Sequence, residues 1–422
     1  MGKEKKIKIS EKPVIYVAIP AMNELESLPH TINSIISQSY KKFHVYVCVN
    51  QPEEWWEDDE KIKICKNNVK TVEYLHSISK CSVTVIDKCT KGNGWIPTRG
   101  GVGWARKLVM DKIKEDSKST DLIISLDADT IFYSEYFQSI VDSFNEFPQI
   151  TAISVPYYHN LEKNYELDRA MLRYEIYMRY YAINMHRIGS PYSFTALGSA
   201  IALPVWVYVV VSGITPKKAG EDFYFLQKLR KYGIVLNHNS QKVHPKTRYS
   251  DRVDFGTGPA LIKGSKGNWE SYPIYDYKLF DNVETTYQLF NDLFKDDLET
   301  PMTEFLYGQF KSENIWQPLR QNYNTKKLFV KACHSKVDGL RILQYLKSEQ
   351  QKVESKDEDI LKDFMLNFLS KDELKDFEYD LKYLSFEFSN NYVLNRIRNL
   401  LENVEEKLQR KEIKRIKEGE WI

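Results

Sequence analysis

Short apolar runs alternate with amphipathic segments through the first two thirds of this 422-residue chain. The apolar runs predict strands buried in a mostly parallel sheet, and the amphipathic segments predict helices that cover it. Strands are predicted at residues 14–19, 43–49, 82–86, 123–126, 150–155 and 234–237. Strands that alternate with helices in this way indicate a doubly wound α/β domain.

Helices are predicted wherever apolar residues return to one face of a 3.6-residue period. Leu28, Ile32 and Ile35 do so after the first strand, and the stretch 161–187 has the same periodicity with many Tyr, Arg and Met residues. The segment 193–210 is apolar almost throughout and is predicted to be strand-like.

Beyond about residue 271 the glycines almost vanish, and charged helical patterns continue to the end of the sequence. One predicted helical face carries the apolar residues Ile397, Leu400, Leu401, Val404 and Leu408. We therefore predict two domains, an α/β domain at 1–270 and a helical C-terminal domain at 271–422.

Charge and cysteine content narrow the functional classes. With 60 basic and 58 acidic residues the net charge is +2, so no strong field attracts nucleic acid. Five cysteines without paired close spacing argue against a disulfide framework or a zinc site and fit a reducing cytosol. No apolar segment precedes Val14, and the longest apolar run, 201–211, is too short to span a bilayer. We expect a soluble, cytoplasmic protein whose contact with the inner membrane face is at most peripheral.

Two aspartates follow the predicted strand at 123–126. Asp127 and Asp129 stand where the strand leaves the sheet, which is where ligands bind in open α/β folds, and Ala128 leaves space for a ligand. Such carboxylates suit Mg²⁺ or Mn²⁺, with substrate phosphates completing the coordination. Aspartates that cap a turn give the same pattern. The pair alone leaves both interpretations open.

Other motifs also place polar residues at strand ends or helix starts. They are Pro20-x-x-Asn23-Glu24, Gln38-Ser39-Tyr40, Gly101-x-x-x-Ala105-Arg106 and Gly220-Glu221-Asp222. Together with Asp127-x-Asp129, their order and spacing resemble the family 2 glycosyltransferases over roughly residues 14–235. The resemblance implies the GT-A fold, a doubly wound and mostly parallel sheet, and a nucleotide-sugar donor. The helical C-terminal region has no counterpart in it.

A divalent cation, Mn²⁺ or Mg²⁺, is implied by the same resemblance, because a cation that bridges the donor's phosphates stabilises the diphosphate leaving group. Asp129 is then the direct metal ligand, and Asp127 faces the ribose or the cation through water. His244 is the expected third ligand, with His238 as its rival. A lone histidine is more often structural, so that interpretation stands beside the metal role.

Glu221 and Asp222 take the acceptor side in the resemblance. Asp222 is expected to be the base that deprotonates the acceptor hydroxyl in one in-line displacement, with inversion at the anomeric carbon. Glu221 would bind the acceptor or hold the loop. The alternative is that both are acidic residues favoured in the first turn of a helix.

The nucleotide side is also assigned by resemblance. Pro20, Asn23 and Glu24 are expected beside the base and ribose, and Ala128 beside the sugar nucleotide. Asp87, just after the third strand, would bind the base edge or simply cap a turn.

Four arginines are candidates for contacts with the nucleotide or its phosphates. Arg99 and Arg106 would contact the nucleotide or a phosphate, although Arg106 on a helix could equally be a surface residue. Arg248 and Arg252 would neutralise the diphosphate, with surface salt bridges as the alternative.

The chain departs from the family in two respects. The Gln-x-x-Arg-Trp motif of processive synthases and transmembrane helices are missing from the sequence, which predicts transfer of a single sugar. Asn50-Gln51 replaces the usual acidic pair after the second strand, which puts base recognition in doubt.

The acceptor would be a glycan, a lipid-linked molecule or a small molecule, as in bacterial-type glycan or glycoconjugate synthesis. The C-terminal helices would bind it or form a homo-oligomer. Three alternatives remain: a retaining GT-A enzyme that makes a small glycoside, a nucleotidyltransferase, and a non-catalytic nucleotide-sugar-binding module. The Gly-rich Lys/Arg signature of nucleotidyltransferases does not occur before Pro20.

Overall fold

A seven-stranded sheet organises the first part of the chain in the computed structural model, which describes residues 8–218, 220–251 and 256–420. The strands are β1 Ile15–Ala21, β2 Phe43–Asn50, β3 Val83–Lys88, β4 Leu122–Ser125, β5 Thr130–Ile131, β6 Ile150–Ser154, β7 Ile201–Pro204, β8 Ile234–Leu236 and β9 His244–Pro245. The sheet order is β3-β2-β1-β4-β7-β6-β8, and β5 pairs separately with β9. Only β7 runs antiparallel to its neighbours in this order.

Strand β1 has a proline at its next-to-last position, where the structure accommodates it. All seven β1 residues are buried between β2 and β4, as the apolar run predicted. The carbonyl of Ala18 accepts a bond from the amide of Leu126, so Pro20, two residues on, faces the same side. Because β4 has already ended at Ser125, the missing N–H of Pro20 removes no bond from the ladder.

Helices alternate with these strands along the sequence. They are α1 Leu28–Ile36, α2 Ile62–His76, α3 Val102–Asp116, α4 Tyr136–Glu146, α5 Tyr165–Arg187, α6 Val205–Val210, α7 Glu221–Tyr232 and α8 Thr257–Gly264, with a short 3₁₀ turn at Glu53–Glu57. The predicted face of α1 is buried, and Pro29 occupies its first turn, where the missing N–H costs nothing.

The strand-like prediction for 193–210 is wrong over most of its length. Residues 193–200 form no strand, β7 spans four residues, and the valine-rich run continues as helix α6. Val205 and Tyr208, one helical turn apart, are buried, whereas Val209 and Val210 are about half exposed. Burial of one helical face therefore outweighs the strand preference of valine, which depends on context.

The C-terminal region is helical, as predicted. It contains α9 Tyr277–Leu289, α10 Thr303–Phe310, α11 Gln317–Asn322, α12 Lys326–Lys336, α13 Gly339–Gln350, α14 Asp357–Phe368, α15 Lys371–Leu374, α16 Glu378–Lys382 and α17 Asn391–Lys417. The predicted fold class is therefore confirmed: a doubly wound, mostly parallel α/β sheet followed by a helical C-terminal region.

The predicted apolar face of α17 changes character along its length. Ile397 and Leu401 are buried as expected, but Val404 is only partly buried, and Glu405 faces the interior instead. The reason is an ion pair, in which Nη1 of Arg179 lies 2.8 Å from the Glu405 carboxylate. A buried charge is retained where an opposite charge meets it.

By their contacts the described residues divide into two units. The first comprises those of Met1–Leu167 and Phe194–Lys263, and the second those of Asp168–Ser193 and Gly264–Ile422. The division into domains near residue 270 stays a prediction. Within the described ranges, no helix combines the length and the apolar character needed to cross a bilayer.

Candidate active site

The Asp-Ala-Asp motif forms a fixed turn at the carboxyl end of β4. The amide of Leu126 donates to the carbonyl of Ala18 on β1 at 3.0 Å. This bond extends the pairing with β1 one residue beyond the end of β4. The Thr31 hydroxyl on α1 donates to the carbonyl of Ala128 at 3.0 Å. Two separate elements therefore hold the backbone of the turn in place.

Arg248 brings together two of the predicted acidic residues. Its Nη2 lies 2.6 Å from the Asp129 carboxylate, and its Nη1 donates at 3.0 Å to the Glu24 carboxylate, which Nη2 also contacts. Burial opposes the charge on this guanidinium, but Glu24 and Asp129 outweigh burial and raise the pKa of Arg248. A positive charge is therefore stable beside Asp129.

The Arg248 segment is attached to the Asp-Ala-Asp turn by its backbone. Strand β9 pairs with β5, which follows Asp129 directly, and the amide of Lys246 donates to the carbonyl of Asp129 at 3.2 Å. Arg248 follows two residues later. Arg252, its predicted companion, lies outside the described residues.

Arg106 joins two further predicted residues. Its Nη2 lies 2.7 Å from Asp127, and its Nε lies 3.2 Å from Glu221. Nη1 donates to the Ser125 hydroxyl at 2.6 Å and to the carbonyl of Gly198 at 3.0 Å. The Arg106 side chain is only 2 % exposed, so its donors serve protein groups rather than the surface. Asp127, by contrast, is 39 % exposed.

Asp222 stands in the first turn of α7, beside Glu221. Gly220 precedes the helix with a φ of 72°, a left-handed conformation that favours glycine. Burial and the neighbouring Glu221 charge raise the pKa of Asp222 to about 7, against the opposing effect of Arg106. The carboxylate also accepts a bond from the amide of Phe223 at 2.7 Å. A carboxylate with this pKa is a useful base near neutral pH.

The first strand end is held by an amide network. Asn23 has a φ of 58°, and its amide donates to the Asn68 side chain at 2.7 Å. Asn68 in turn donates to Gln51 at 2.8 Å. Asn50, the other member of the unusual amide pair, donates to the carbonyl of Ala21 at 2.9 Å. The pair that replaces the family's acidic residues therefore fixes the backbone around Asn23.

Asp87 caps the turn after β3. Its carboxylate accepts bonds from the amides of Cys89 and Thr90, at 2.9 and 3.0 Å, and from the hydroxyl of Thr90. Burial opposes ionisation, but these bonds outweigh it and lower the pKa of Asp87 to about 2. Its oxygens are thus already engaged by the turn.

Arg99 does not share the carboxylate contacts described for Arg106 and Arg248. It is exposed, and its guanidinium lies over the ring of Trp104, 5.2 Å from the centroid. No contact to a predicted carboxylate is recorded for it among the described residues.

His244 lies on β9, beside the Asp-Ala-Asp turn. Its Nδ1 is 3.0 Å from the carbonyl of Tyr158, and its ring meets Tyr133 edge to face at 5.4 Å. When Nδ1 donates to that carbonyl, the lone pair lies on Nε2, as in metal-binding histidines. Nevertheless, residues 8–218, 220–251 and 256–420 contain no group of three His, Cys, Asp or Glu side chains arranged to hold a metal ion.

Gly198 is a site residue that the sequence did not identify as functional. A Cβ at this position would lie 2.4 Å from Nη2 of Arg106 and 2.9 Å from its Cζ, so a side chain here would displace the guanidinium. Ser125, which donates to the same glycine carbonyl at 2.7 Å, was hidden in the apolar run of β4. The signal that was present is a glycine inside an otherwise apolar segment.

A family model described as "Glycosyltransferase like family 2" matches residues 13–233, slightly more than half of the chain. No curated protein matches the sequence.

Two solved structures align along most of the chain. One is of Staphylococcus aureus TarS 1-349 in complex with UDP-GlcNAc, with 14 % identity, 94 % of this chain and 92 % of that chain covered, and a TM-score of 0.37. The other is of the mannosyltransferase PcManGT from Pyrobaculum calidifontis in complex with GDP-Man and Mn²⁺, with 12 % identity, 94 % and 87 % covered, and a TM-score of 0.34.

Proposed function

Because the chain belongs to the glycosyltransferase-like family 2 and is a glycosyltransferase, we propose that it transfers one sugar from a nucleotide-sugar donor to an acceptor hydroxyl, with inversion and with the help of a divalent cation. The observation that carries the proposal is that one arginine, Arg106, forms ion pairs with two of the predicted site residues. It pairs with Asp127 in the Asp-Ala-Asp turn and with Glu221 at the start of α7. Glu221 in turn is the neighbour of Asp222, whose pKa suits a base.

The described residues contain no ready-made group of three His, Cys, Asp or Glu ligands, so a divalent cation on the donor side would take part of its coordination from the substrate. Carboxylate oxygens suit Mg²⁺ and Mn²⁺, which take one or two protein carboxylates and complete their shell with water and substrate phosphate. Arg248 lies 2.6 Å from the Asp129 carboxylate, so an ion would share this carboxylate with the guanidinium or displace it. Asp129 would hold the ion, with Asp127 and His244 as further ligands. When bound, such an ion stabilises the negative charge of a diphosphate leaving group.

The residues of the chain would bind the donor as follows. Glu24 and the backbone around Asn23 follow the end of β1, where the ribose and base are expected, and Pro20 keeps that strand end unpaired toward β4. Ala128 offers its backbone without a bulky side chain in the way. Arg248 is the chain's own cation beside the site and would neutralise part of the donor's diphosphate charge.

Asp222 would remove the proton from the acceptor hydroxyl as that oxygen attacks the anomeric carbon. With a pKa near 7, the carboxylate is ionised in a substantial fraction of molecules at neutral pH and still basic enough to accept a proton. Attack from the side opposite the leaving group inverts the anomeric configuration. Holding the two reactants in line would contribute much of the rate.

The cellular context also belongs to the proposal. We place the enzyme in the cytoplasm because its five cysteines are all free thiols, four of them buried, which suits a reducing compartment. The acceptor would be a glycan, a lipid-linked molecule or a small molecule, and a single sugar would be added per reaction.

A donor screen tests the proposal. UDP-, GDP- and dTDP-sugars are offered with and without Mn²⁺, and binding and hydrolysis are measured by calorimetry and by release of the nucleoside diphosphate. We expect one donor class to bind and hydrolyse slowly in a metal-dependent manner. Absence of binding and hydrolysis with every donor contradicts the proposal. NMR of the transfer product then reports its anomeric configuration, and a retained configuration removes Asp222 from the role of base.

A further inference from the structure

The Arg106 guanidinium is used entirely inside the protein. It meets groups from three places besides its own helix α3: Ser125 and Asp127 at the end of β4, Gly198 before β7, and Glu221 at the start of α7. Reaching a bound phosphate would require breaking the buried ion pair with Glu221, which is costly because it leaves a charge unpaired in the interior.

We propose that Arg106 is a positioning residue, which fixes the start of α7 against the end of β4 and thereby holds Asp222 through Glu221. This inference rests on the proposed function, in which Asp222 is the base. Glu221 and Asp222 are neighbours in the first turn of α7, so a bond that anchors one carboxylate fixes the backbone that carries the other. The role differs from the direct nucleotide or phosphate contact that the family resemblance implies for Arg106.

The local geometry calls for arginine rather than lysine. A guanidinium directs several donors from a planar fork, so that Nε can serve Glu221 while Nη2 serves Asp127. A lysine ammonium keeps the charge but cannot span both carboxylates in the same way. Gly198 leaves the space for that fork, since a Cβ there would lie 2.4 Å from Nη2.

Three charged groups from three elements act on Asp222: Glu221 beside it on α7, Arg106 from α3 and Asp127 from the end of β4. Glu221 and Asp127 favour its protonated form, and Arg106 favours its ionised form. Removing Glu221's charge and moving Arg106's charge away should therefore shift the titration of Asp222 in opposite directions. Such a pair of shifts reports that both charges stand close to Asp222 in the folded protein, and the split between kcat and the donor KM separates positioning from a direct donor contact.

The test uses the full-length protein with Arg106→Lys, Glu221→Gln, both together, and Gly198→Ala, which displaces the guanidinium without changing its chemistry. Arg179→Lys is the matched control, because it makes the same exchange at a buried arginine of the second unit. Thermal melts first establish that each variant folds. The ¹³C carboxyl titration of Asp222, assigned with Asp222→Asn, is followed by NMR, and kcat and the donor KM are measured across pH.

We expect the titration midpoint of Asp222 to rise in Arg106→Lys and Gly198→Ala, to fall in Glu221→Gln, and to stay unchanged in Arg179→Lys. We expect kcat to fall at least about ten-fold in Arg106→Lys, since small misplacements of a catalytic group are expensive. The donor KM should change less than about three-fold. The kcat of the double variant should be no lower than that of the more impaired single variant, because Arg106 and Glu221 act as one unit.

Two results overturn the inference: a donor KM that rises more than about ten-fold in Arg106→Lys while kcat is kept, as expected of a direct phosphate ligand, or a titration of Asp222 that neither substitution moves. The NMR titration does not depend on turnover. If wild-type protein neither binds nor hydrolyses any donor, the proposed function fails, while the shifts of Asp222 still decide whether Arg106 positions it.

Discussion

Arg248 and Asp129 form an ion pair at 2.6 Å, so the carboxylate that we propose as the metal ligand already has a positive partner. The same guanidinium also bonds to Glu24, which is buried. A cation that binds Asp129 must therefore share this carboxylate with Arg248 or displace it.

Asp129→Ala is expected to remove the dependence of donor binding on Mn²⁺, because it deletes the principal oxygen ligand for the ion. Isothermal titration with the donor identified in the screen, with and without Mn²⁺, measures this. Asp142→Ala, an exposed aspartate on α4 that contacts Gln138, is the matched control. Equal metal-dependent donor affinity in wild type and Asp129→Ala contradicts the metal assignment.

Arg248→Gln is expected to strengthen Mn²⁺ binding to the donor-free protein by about ten-fold, since a charge-assisted bond to Asp129 no longer has to be given up. The same change should weaken donor binding, because a cation that neutralises diphosphate is lost. Mn²⁺ affinity is measured by electron paramagnetic resonance. Arg320→Gln, which breaks a pair with Asp297 in the second unit, should alter neither quantity. Weaker Mn²⁺ binding in Arg248→Gln would mean that the arginine supports the ion.

Asp222→Asn is expected to leave donor binding within about three-fold of wild type and to lower kcat by about 10²–10⁴-fold, the usual contribution of a general base. The shape of the side chain is kept while its basicity is removed. Donor affinity and kcat are measured on the same preparation, with Asp142→Asn as the control. Full transfer activity in Asp222→Asn would assign the base to another residue.

The pH profile of the wild-type enzyme should reflect the titration of Asp222. Because the ionised form of Asp222 is the active one, kcat/KM is expected to rise with pH and to level off above about 7, the pKa to which burial and Glu221 raise this carboxylate. An aspartate in water would give its rise near pH 4. Rates measured from pH 5 to 9 with a fixed donor decide the point, and a profile that is flat between 5 and 8 excludes Asp222 as the base.

Asp87→Ala is expected to affect stability rather than donor binding. It removes a turn cap, and for this partly buried carboxylate we expect a loss of about 1 kcal/mol of unfolding free energy after solvent screening. The folded pKa of about 2 lies below the unfolded value, so this stabilisation is present above pH 4 or so and lost as the pH falls through about 2. Urea unfolding at pH 7 and at pH 3 measures it. A large rise in the donor Kd with unchanged stability would favour contact with the base.

Much of the sheet and the helix starts could be predicted from sequence because their signals are local. The buried runs of β1 and β4, and the glycine before α7, are readable within a few residues. Helix α6 was not, because valines prefer strands in isolation and their burial on one helical face depends on the rest of the fold.

The arrangement of the site needed the structure. Arg106 meets Glu221 across 115 positions of sequence, and Arg248 meets Glu24 across 224. The residue types were visible, so the carboxylates could be proposed, but which arginine serves which acid depends on strand order. The strand order was not readable from a pattern of apolar runs.

Pro20 has a consequence for the edge of the sheet beside the Asp-Ala-Asp turn. Beyond Ala18 the β4-facing edge of β1 has lost its partner, and such an edge normally invites another strand to pair. A proline on that side has no hydrogen to offer, so a loop or a second molecule that approached this edge would lack one backbone donor there. Protection of the edge beside the Asp-Ala-Asp turn against strand pairing therefore comes from the covalent structure of one residue.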